Sequence, residues 1–179
     1  AASEVDFGAW VEFYRFQREE ADPALRIPFD QAGYMDVPPK DRGEDIRREI
    51  CFTLIEMGIQ PEASHHEEGP GQNEIDFRYS DALTAADQTT TFKWVVEMVA
   101  AGNGLEADFT PKPLPKDAVH GLHINLSLRT DATLQSAFLA GILAHLPAMT
   151  LFLNTHAYSS LRLGDNKVPP SIRCSHEHR

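Results

Sequence analysis

The feature that most constrains the fold of this chain is a run of acidic and imidazole side chains next to a tight turn. The segment Glu62-Ala63-Ser64-His65-His66-Glu67 comes first, and Glu74 follows the turn at Gly69-Pro70-Gly71. A fully extended path from Glu67 to Glu74 would separate them by about 23 Å, so only a chain reversal brings them together. The sequence therefore predicts a hairpin in which Glu67 and Glu74 are neighbours.

Converging carboxylates suggest a metal site at this hairpin. Two or three carboxylates at one point repel each other strongly unless a cation lies between them. Oxygen ligands of this kind suit magnesium or manganese. The competing interpretation is a polar hairpin that faces water, in which Glu74, Asp76 and Arg78 alternate along an ion-paired, exposed strand. Because Glu67 lies so close, we favour the metal site for Glu74.

A second polar pattern lies in the predicted strand Gly121–Leu128. Its leucine and isoleucine side chains share one face, which leaves His123, Asn125 and Ser127 in a row on the other. We expect the apolar face to pack and the polar face to be able to bind a metal and then a ribose or phosphate. A strand with a solvated polar face would give the same alternation.

Length and charge limit the functional classes. The chain has 179 residues, of which 42% are hydrophobic, so it can bury a core as one domain or a domain and a half. A net charge of −11 argues against nucleic acid or an anionic membrane as the main partner. The chain has no run of eighteen apolar residues and no signal segment, and its two cysteines fit a reducing compartment. We therefore expect a cytoplasmic location.

Hydrophobic periodicity predicts a mixture of helices and strands. The predicted elements are a strand at Val11–Phe16, a surface loop at Ala21–Arg42, a helix at Glu44–Met57, a helix from the N-cap Asp81 to about Gly102, a strand at Ala107–Thr110 and a helix at about Leu134–Leu146. In the second helix, the side chains predicted to point inward are those of Leu83, Ala86, Phe92, Val95, Val96 and Val99.

Several separated blocks closely resemble, in the right order, the catalytic domain of class I glutamine synthetases. These blocks are Met57–Ile59, Glu62–Glu67, Pro70–Arg78, Phe109–Pro113 and Gly121–His123, with weaker likeness out to Arg162–Gly164 and Glu177–Arg179. The resemblance implies an α+β fold with a mainly antiparallel, curved sheet flanked by helices. Residues 1–179 would then be a partial catalytic domain that lacks the small N-terminal domain and the C-terminal part.

The resemblance also implies a reaction. Enzymes of this family phosphorylate the side chain of glutamate with ATP and let ammonia, or another amine, displace the phosphate from γ-glutamyl phosphate. They hold two or three Mg²⁺ or Mn²⁺ ions between the two substrates and work as homo-oligomeric rings. The chain would therefore be part of a ligase of nitrogen metabolism, with no nucleic-acid or membrane partner.

By the same likeness, individual positions acquire expected roles. Glu12, Glu67 and Glu74 would form the first metal site, His123 would ligate the second ion, Glu62 would lie near the nucleotide, Asn125 and Ser127 would contact ATP, Arg162 would pair with the substrate carboxylate, and Arg179 would reach the transferred phosphate. Arginine suits both anions because its guanidinium group is planar and always charged.

Three departures from the family pattern support a second hypothesis. If Glu12 is the second of two early family glutamates, Trp10 occupies the place of the first; an alternative alignment uses Glu4 and Asp6 instead. Val119 replaces a turn glycine, and Lys167 replaces a glutamate that helps to deprotonate ammonium. A protonated lysine cannot do that. The second hypothesis is thus a non-catalytic relative that keeps the fold and binds a metal or nucleotide without turnover.

Overall fold

A computed structural model describes residues 4–19, 22, 25–129 and 131–162, which form a six-stranded sheet and three α-helices. The strands are β1 (Glu4–Gln17), β2 (Ile27–Pro28), β3 (Pro61–His66), β4 (Gln72–Phe77), β5 (Leu105–Asp108) and β6 (Leu122–Arg129). The helices are α1 (Glu44–Glu56), α2 (Ala82–Gly102) and α3 (Ala132–Leu153), followed by a 3₁₀ turn at Ala157–Arg162.

The long strand β1 is the centre of the sheet. It pairs antiparallel with β2, β4, β5 and β6, and β3 pairs antiparallel with β4. Trp10 is opposite both Asp76 of β4 and His123 of β6, so these two strands lie on opposite edges of β1. This open antiparallel sheet with helices confirms the predicted α+β class.

The hairpin between β3 and β4 also matches its prediction. The backbone N–H of Gln72 donates to the carbonyl oxygen of Gly69 at 2.9 Å, and Gly71 has a φ of +70°. Proline at the first central position and a positive φ at the second are the pattern of a type II turn, which favours glycine there. The turn therefore reverses the chain and brings Glu67 next to β4.

One face of the sheet forms the hydrophobic core with α1 and α2. The ring of Phe92 from α2 lies 6.0 Å from Phe13 of β1 and 5.9 Å from Phe77 of β4, between ring centroids. Ile50 and Leu54 of α1 are fully buried against the same cluster. The core thus fixes the face of β1 and β4 that carries Phe13 and Phe77, and the alternate side chains point to the opposite face.

Helix α2 begins after Asp81, as predicted, and the Asp81 side chain accepts hydrogen bonds from the N–H groups of Leu83 and Thr84. The prediction was wrong for two of the residues expected to point inward, since Leu83 is 71% exposed and Ala86 is also exposed. At about 100° per residue, Leu83 lies about 180° and Ala86 about 120° away from Phe92. Ala85, which is nearly in line with Phe92, is buried instead.

Other element boundaries also differ from their predictions. β1 begins at Glu4 instead of Val11, since its first half pairs with β6. The loop at 21–42 contains the short β2 and turns partly inward, where Asp30, Ala32 and Asp41 are buried. Helix α3 continues through Pro147 to Leu153.

The apolar face of β6 was predicted to pack, and this was wrong for the described residues. Leu122, Ile124 and Leu126 are exposed, because α2 covers β1 and β5 and α1 covers β3. Helix α3 likewise has no buried residue. Among the described helices, α3 is the one whose length and apolar composition would suit a membrane crossing. Core helices of soluble proteins have the same composition.

Candidate metal centre

The sheet face opposite the core carries a cluster of acidic and imidazole side chains. Strand register places Glu12 of β1 directly opposite Glu74 of β4, and it places Trp10 between Asp76 of β4 and His123 of β6. Because successive residues of a strand point to alternate faces, all five share the face that α1 and α2 leave uncovered. The polar face predicted for β6 therefore joins the carboxylates of the hairpin.

Three of these residues could hold a divalent cation. One ligand atom from each of Glu12, Glu74 and His123 lies within 4.8 Å of the other two. Glu12 is 8% exposed and Glu74 5% exposed, whereas His123 is open to solvent. Two carboxylates and an imidazole in this arrangement suit Mn²⁺ or Mg²⁺.

Neighbouring groups hold Glu12 in place. The side-chain amide of Gln72 donates to Glu12 Oε2 at 2.7 Å, and the backbone N–H of Gly121 donates to the same oxygen at 2.9 Å. A Cβ atom at position 121 would lie 2.7 Å from Glu12 Oε1, so any larger residue would displace the carboxylate. Gln72 also donates to the carbonyl oxygen of Val119 at 3.0 Å, which ties the loop before β6 to the site.

The electrostatics of the cluster favour a bound cation. Burial, followed by the nearby carboxylates of Asp76, Glu12 and Glu67, raises the pKa of Glu74 from 4.5 to about 9. Burial also raises the pKa of Glu67 above its ordinary value. Such carboxyl groups ionise readily only when a positive charge compensates them. The residues present therefore fit a divalent cation by donor type and by charge.

Glu67 lies immediately after β3 and borders the site. Its backbone N–H donates to the carbonyl oxygen of Gln72 at 2.9 Å, and its side chain hydrogen-bonds to that of Glu74. The predicted grouping was Glu12, Glu67 and Glu74 around one ion and His123 on another. Among the described residues, one triad of ligand atoms within 4.8 Å of one another combines His123 with Glu12 and Glu74, and Glu67 lies beside it.

A pocket of about 880 Å³ opens over this face. Its lining includes Trp10, Glu12, Glu67, Gln72, His123 and Asn125. The amide nitrogen of Asn125 is buried without a hydrogen-bond partner among the described residues. Asn125 is thus placed to donate to a ligand in the pocket, and Ser127 follows it on the same face of β6.

Of the other predicted site residues, Glu62 lies away from the pocket and the arginine side chains are outside the described part of the chain. Glu62 is at the far end of β3, where its Oε1 is 3.8 Å from Nε of Arg78, and it does not line the pocket. Arg162 ends the last 3₁₀ turn, and its side chain is outside the described part of the chain. Arg179 and Lys167 also lie outside the described residues.

The early carboxylates are now distinguished by position. Glu12 faces Glu74, whereas Asp6 lies further along β1 and forms an ion pair of 2.8 Å with Arg129. Glu4 is opposite Arg129 at the end of the strand, also away from Glu74. Of the three candidates, Glu12 is therefore the one beside the hairpin carboxylates.

Two residues of this face had no assigned role in the sequence interpretation. Asp76 follows Glu74 by two positions and so shares its face. His65 is opposite Glu74, and its Nδ1 lies 3.5 Å from Glu67 Oε1. His66 points the other way and pairs with the buried Asp30 at 2.9 Å. Strand alternation predicts that only one of the adjacent histidines faces the carboxylates, but not which one.

The antiparallel sheet and its carboxylate-rich face define this chain as an α+β domain with a candidate metal centre. The chain belongs to the glutamine synthetase family of ligases, since the sequence model of the glutamine synthetase catalytic domain matches residues 2–179.

Relatives of known sequence and structure agree with this family. The chain is 40% identical to a glutamine synthetase of Thermus thermophilus, over 96% of this chain and 42% of that protein. It is 40% identical to a glutamine synthetase of Clostridium saccharobutylicum, over 89% and 39%. The glutamine synthetase structure of Plasmodium falciparum matches with a TM-score of 0.79 at 26% identity, over 91% and 40%. The chain thus spans about 40% of the length of these relatives.

Proposed function

We propose that this chain forms part of an ATP-dependent ligase that joins ammonia, or another amine, to the γ-carboxylate of glutamate through γ-glutamyl phosphate. The observation that supports it is the convergence of Glu12, Glu74 and His123 beneath an open pocket. Family membership adds to this, because glutamine synthetases act on glutamate, ATP and ammonia. We also propose a homo-oligomeric, cytoplasmic parent protein.

The residues around the pocket would have separate roles in cation binding. Glu12, Glu74 and His123 would hold Mg²⁺ or Mn²⁺, which offsets phosphate charge and aligns in-line transfer when bound. Gln72 and the N–H of Gly121 orient Glu12, as their hydrogen bonds to Oε2 indicate.

Contacts with the substrates are also part of the proposal. Asn125 and Ser127 would contact ATP from the polar face of β6. Glu62 is proposed, by family likeness alone, to lie near the nucleotide. Arg162 and Arg179 are proposed, again by family likeness alone, for the glutamate carboxylate and the transferred phosphate.

The full-length protein is expected to release phosphate from ATP only when glutamate and ammonium, or a primary amine, are both present. Glu74→Gln should lower this rate on the order of 100-fold, because it removes a charged ligand of the cation. Glu56→Gln, at an exposed position of α1, is the matched control and should keep the full rate. Absence of glutamate-dependent phosphate release with ammonium and with every primary amine tested would refute the proposal.

One observation favours a second function, a non-catalytic relative that binds a metal or nucleotide. The indole ring of Trp10 lies on the metal face, with its centroid 6.3 Å from that of His123 in an edge-on arrangement. Indole has one N–H donor and no lone pair for a cation. Trp10 therefore fills a position beside His123 where a carboxylate could have served a second ion.

If this second function is right, the wild-type protein shows no turnover, and the combined change Trp10→Glu, Val119→Gly and Lys167→Glu should restore it in the full-length protein. Glutamate at position 10 would place an oxygen ligand beside His123. The control is Trp94→Glu with the same two other changes, since Trp94 is 57% exposed on α2. Turnover by the wild-type protein would rule the non-catalytic role out.

A further inference from the structure

We infer that Asp30 and His66 are positioning residues of the candidate metal centre, a buried pair that fixes the backbone at Glu67 from the face of β3 opposite the carboxylates. The inference rests on the proposed function in one respect, that Glu67 borders a bound cation. It gives the loop at 21–42 a role at the site, because Asp30 belongs to that loop and His66 ends β3.

The Asp30–His66 pair lies beneath the end of β3. Both side chains are fully buried, and Nε2 of His66 lies 2.9 Å from Oδ1 of Asp30. The other ring nitrogen, Nδ1, lies 2.6 Å from the backbone carbonyl oxygen of Glu67, which can only accept a hydrogen bond. The imidazole ring is therefore held on two sides, by Asp30 and by the backbone of Glu67.

Asp30 connects the loop to the hairpin. Its Oδ1 also accepts from the backbone N–H of Gly71 in the β3–β4 turn at 3.0 Å, and its Oδ2 accepts from the N–H of Arg42 at 3.2 Å. Burial opposes ionisation of Asp30, but the hydrogen bond and charge of His66, together with these N–H groups, lower its pKa to about 2. Asp30 is thus an ionised acceptor. Both ring nitrogens of His66 then donate, so the two side chains form a buried ion pair.

Glu67 is restrained at both of its peptide groups. Its N–H donates to the carbonyl oxygen of Gln72 at 2.9 Å across the hairpin, and its carbonyl oxygen accepts from His66. With the backbone fixed on both sides of the Cα atom, the Glu67 side chain is directed to the carboxylate face, where it hydrogen-bonds to that of Glu74. The orientation of this carboxylate therefore depends on the buried pair behind it.

The loop makes further contacts with the same end of β3 and includes a strained residue there. The N–H of Met35 donates to the carbonyl oxygen of His66 at 3.0 Å, and Met35 has a φ of +58°, which is uncommon for a residue other than glycine. The ring of Tyr34 packs edge-on against His65 at 5.6 Å between centroids. Strained residues persist where the surrounding structure holds them, and they are frequent at functional sites. The loop thus contacts both adjacent histidines of β3.

Loss of the ion pair should reach the cation through Glu67. Without the charge of Asp30, the imidazolium of His66 is buried without its anion, and the ring no longer holds the carbonyl oxygen of Glu67 in place. Groups that orient metal ligands from behind typically change metal affinity 10–100-fold when they are replaced. A role limited to stability would instead lower the melting temperature and leave the affinity for the cation unchanged.

The test measures the Mn²⁺ affinity of the full-length protein by calorimetry without substrates, together with the melting temperature of each variant. Asp30→Asn should weaken Mn²⁺ binding about 10-fold. In a Glu67→Gln background the same change should lower the melting temperature without further loss of affinity, because the carboxylate that the pair positions is already gone. Asp36→Asn, at a partly exposed position of the same loop where the carboxylate accepts from the N–H of Gly33 at 3.0 Å, is the matched control and should keep the wild-type affinity.

Two replacements of His66 separate its two hydrogen bonds and keep the inference testable if Asp30→Asn does not fold. The amide nitrogen of asparagine takes about the place of Nδ1, and that of glutamine takes about the place of Nε2. His66→Asn should keep the bond to Glu67 and lose the one to Asp30, whereas His66→Gln should do the reverse. His66→Gln should therefore lose more Mn²⁺ affinity than His66→Asn, a difference that a purely structural role does not produce.

The outcomes distinguish this inference from the proposed function. Wild-type Mn²⁺ affinity in folded Asp30→Asn or His66→Gln would overturn the inference, as would a further loss of about 10-fold from Asp30→Asn in the Glu67→Gln background. Weakened affinity that depends on Glu67 would support it even if the full-length protein released no phosphate in response to glutamate, which is the failure of the proposed function. A wild-type protein that binds no Mn²⁺ would refute both.

Discussion

Replacing Arg47 with alanine is expected to lower the free energy of unfolding by about 3–5 kcal/mol. Arg47 of α1 is 4% exposed, and its Nη2 lies 2.5 Å from Oδ2 of Asp41, which is buried as well. Arg47 also donates to Oδ1 of Asn73 at 2.8 Å. Removing the guanidinium group leaves the carboxylate of Asp41 buried without its charged partner, and that desolvation cost is the source of the large effect.

Arg48→Ala is the matched control, because it changes the same residue type at the next position of the same helix. The side chain of Arg48 is 53% exposed and pairs with Glu44 at 2.6 Å and with Asp45 at 3.2 Å. Exposed pairs of this kind contribute about 0.2–1 kcal/mol. Urea unfolding of the full-length proteins measures both changes. A loss for Arg47→Ala no greater than that for Arg48→Ala would contradict the assigned role of the buried pair.

The hydrogen bonds of Arg47 also stabilise the strand that carries the candidate site, from the face opposite Glu74. Asn73 lies in β4 immediately before Glu74, and its Oδ1 accepts from both Arg47 and Arg15, the latter at 2.6 Å. Gly43 makes room for Arg15, since a Cβ atom there would lie 1.7 Å from Nη2 of that arginine. Two buried arginines on one face therefore fix the strand that presents Glu74 on the other.

Local signals in the sequence accounted for the hairpin and the helix starts. The Gly69-Pro70-Gly71 turn predicts the reversal because proline is favoured at the first central position and a positive φ, which suits glycine, is required at the second. Asp81 predicts the start of α2 because its side chain can cap the first turn. Both depend on residues within a few positions of each other, which a single sequence contains.

Long-range pairing accounted for what the sequence could not predict. The extension of β1 to Glu4 depends on β6, whose residues come more than a hundred positions later. The same pairing brings His123 to Glu12 and places Trp10 between Asp76 and His123. Alternation could put Asp76 and Glu74 on one face, but which strands flank that face depends on the assembled sheet.

Glu74→Gln is expected to change stability in opposite directions with and without a divalent cation. In the folded chain burial and the carboxylates of Asp76, Glu12 and Glu67 raise the pKa of Glu74 from 4.5 to about 9. Between these two pH values the folded state keeps a proton that the unfolded chain has released. The metal-free wild-type protein therefore loses stability as the pH rises through this window, and this contribution is fully present only below pH 4.5. Glutamine does not ionise, so the variant should lack this part of the decline.

Addition of Mn²⁺ should reverse the order of stability of the wild-type protein and the Glu74→Gln variant. A cation that binds the folded state at one hundred times its Kd stabilises it by about 2.7 kcal/mol, and for the wild-type protein this gain should increase with pH as the cation displaces the proton. The Glu74→Gln variant lacks the charged ligand and should gain little. Melting temperatures of each protein at about pH 5 and about pH 8, with EDTA and with excess Mn²⁺, measure its stability under all four conditions. Glu56→Gln, exposed on α1, is the control and should follow the wild type. Equal gains from Mn²⁺ in wild type and Glu74→Gln would show that this carboxylate does not hold the ion.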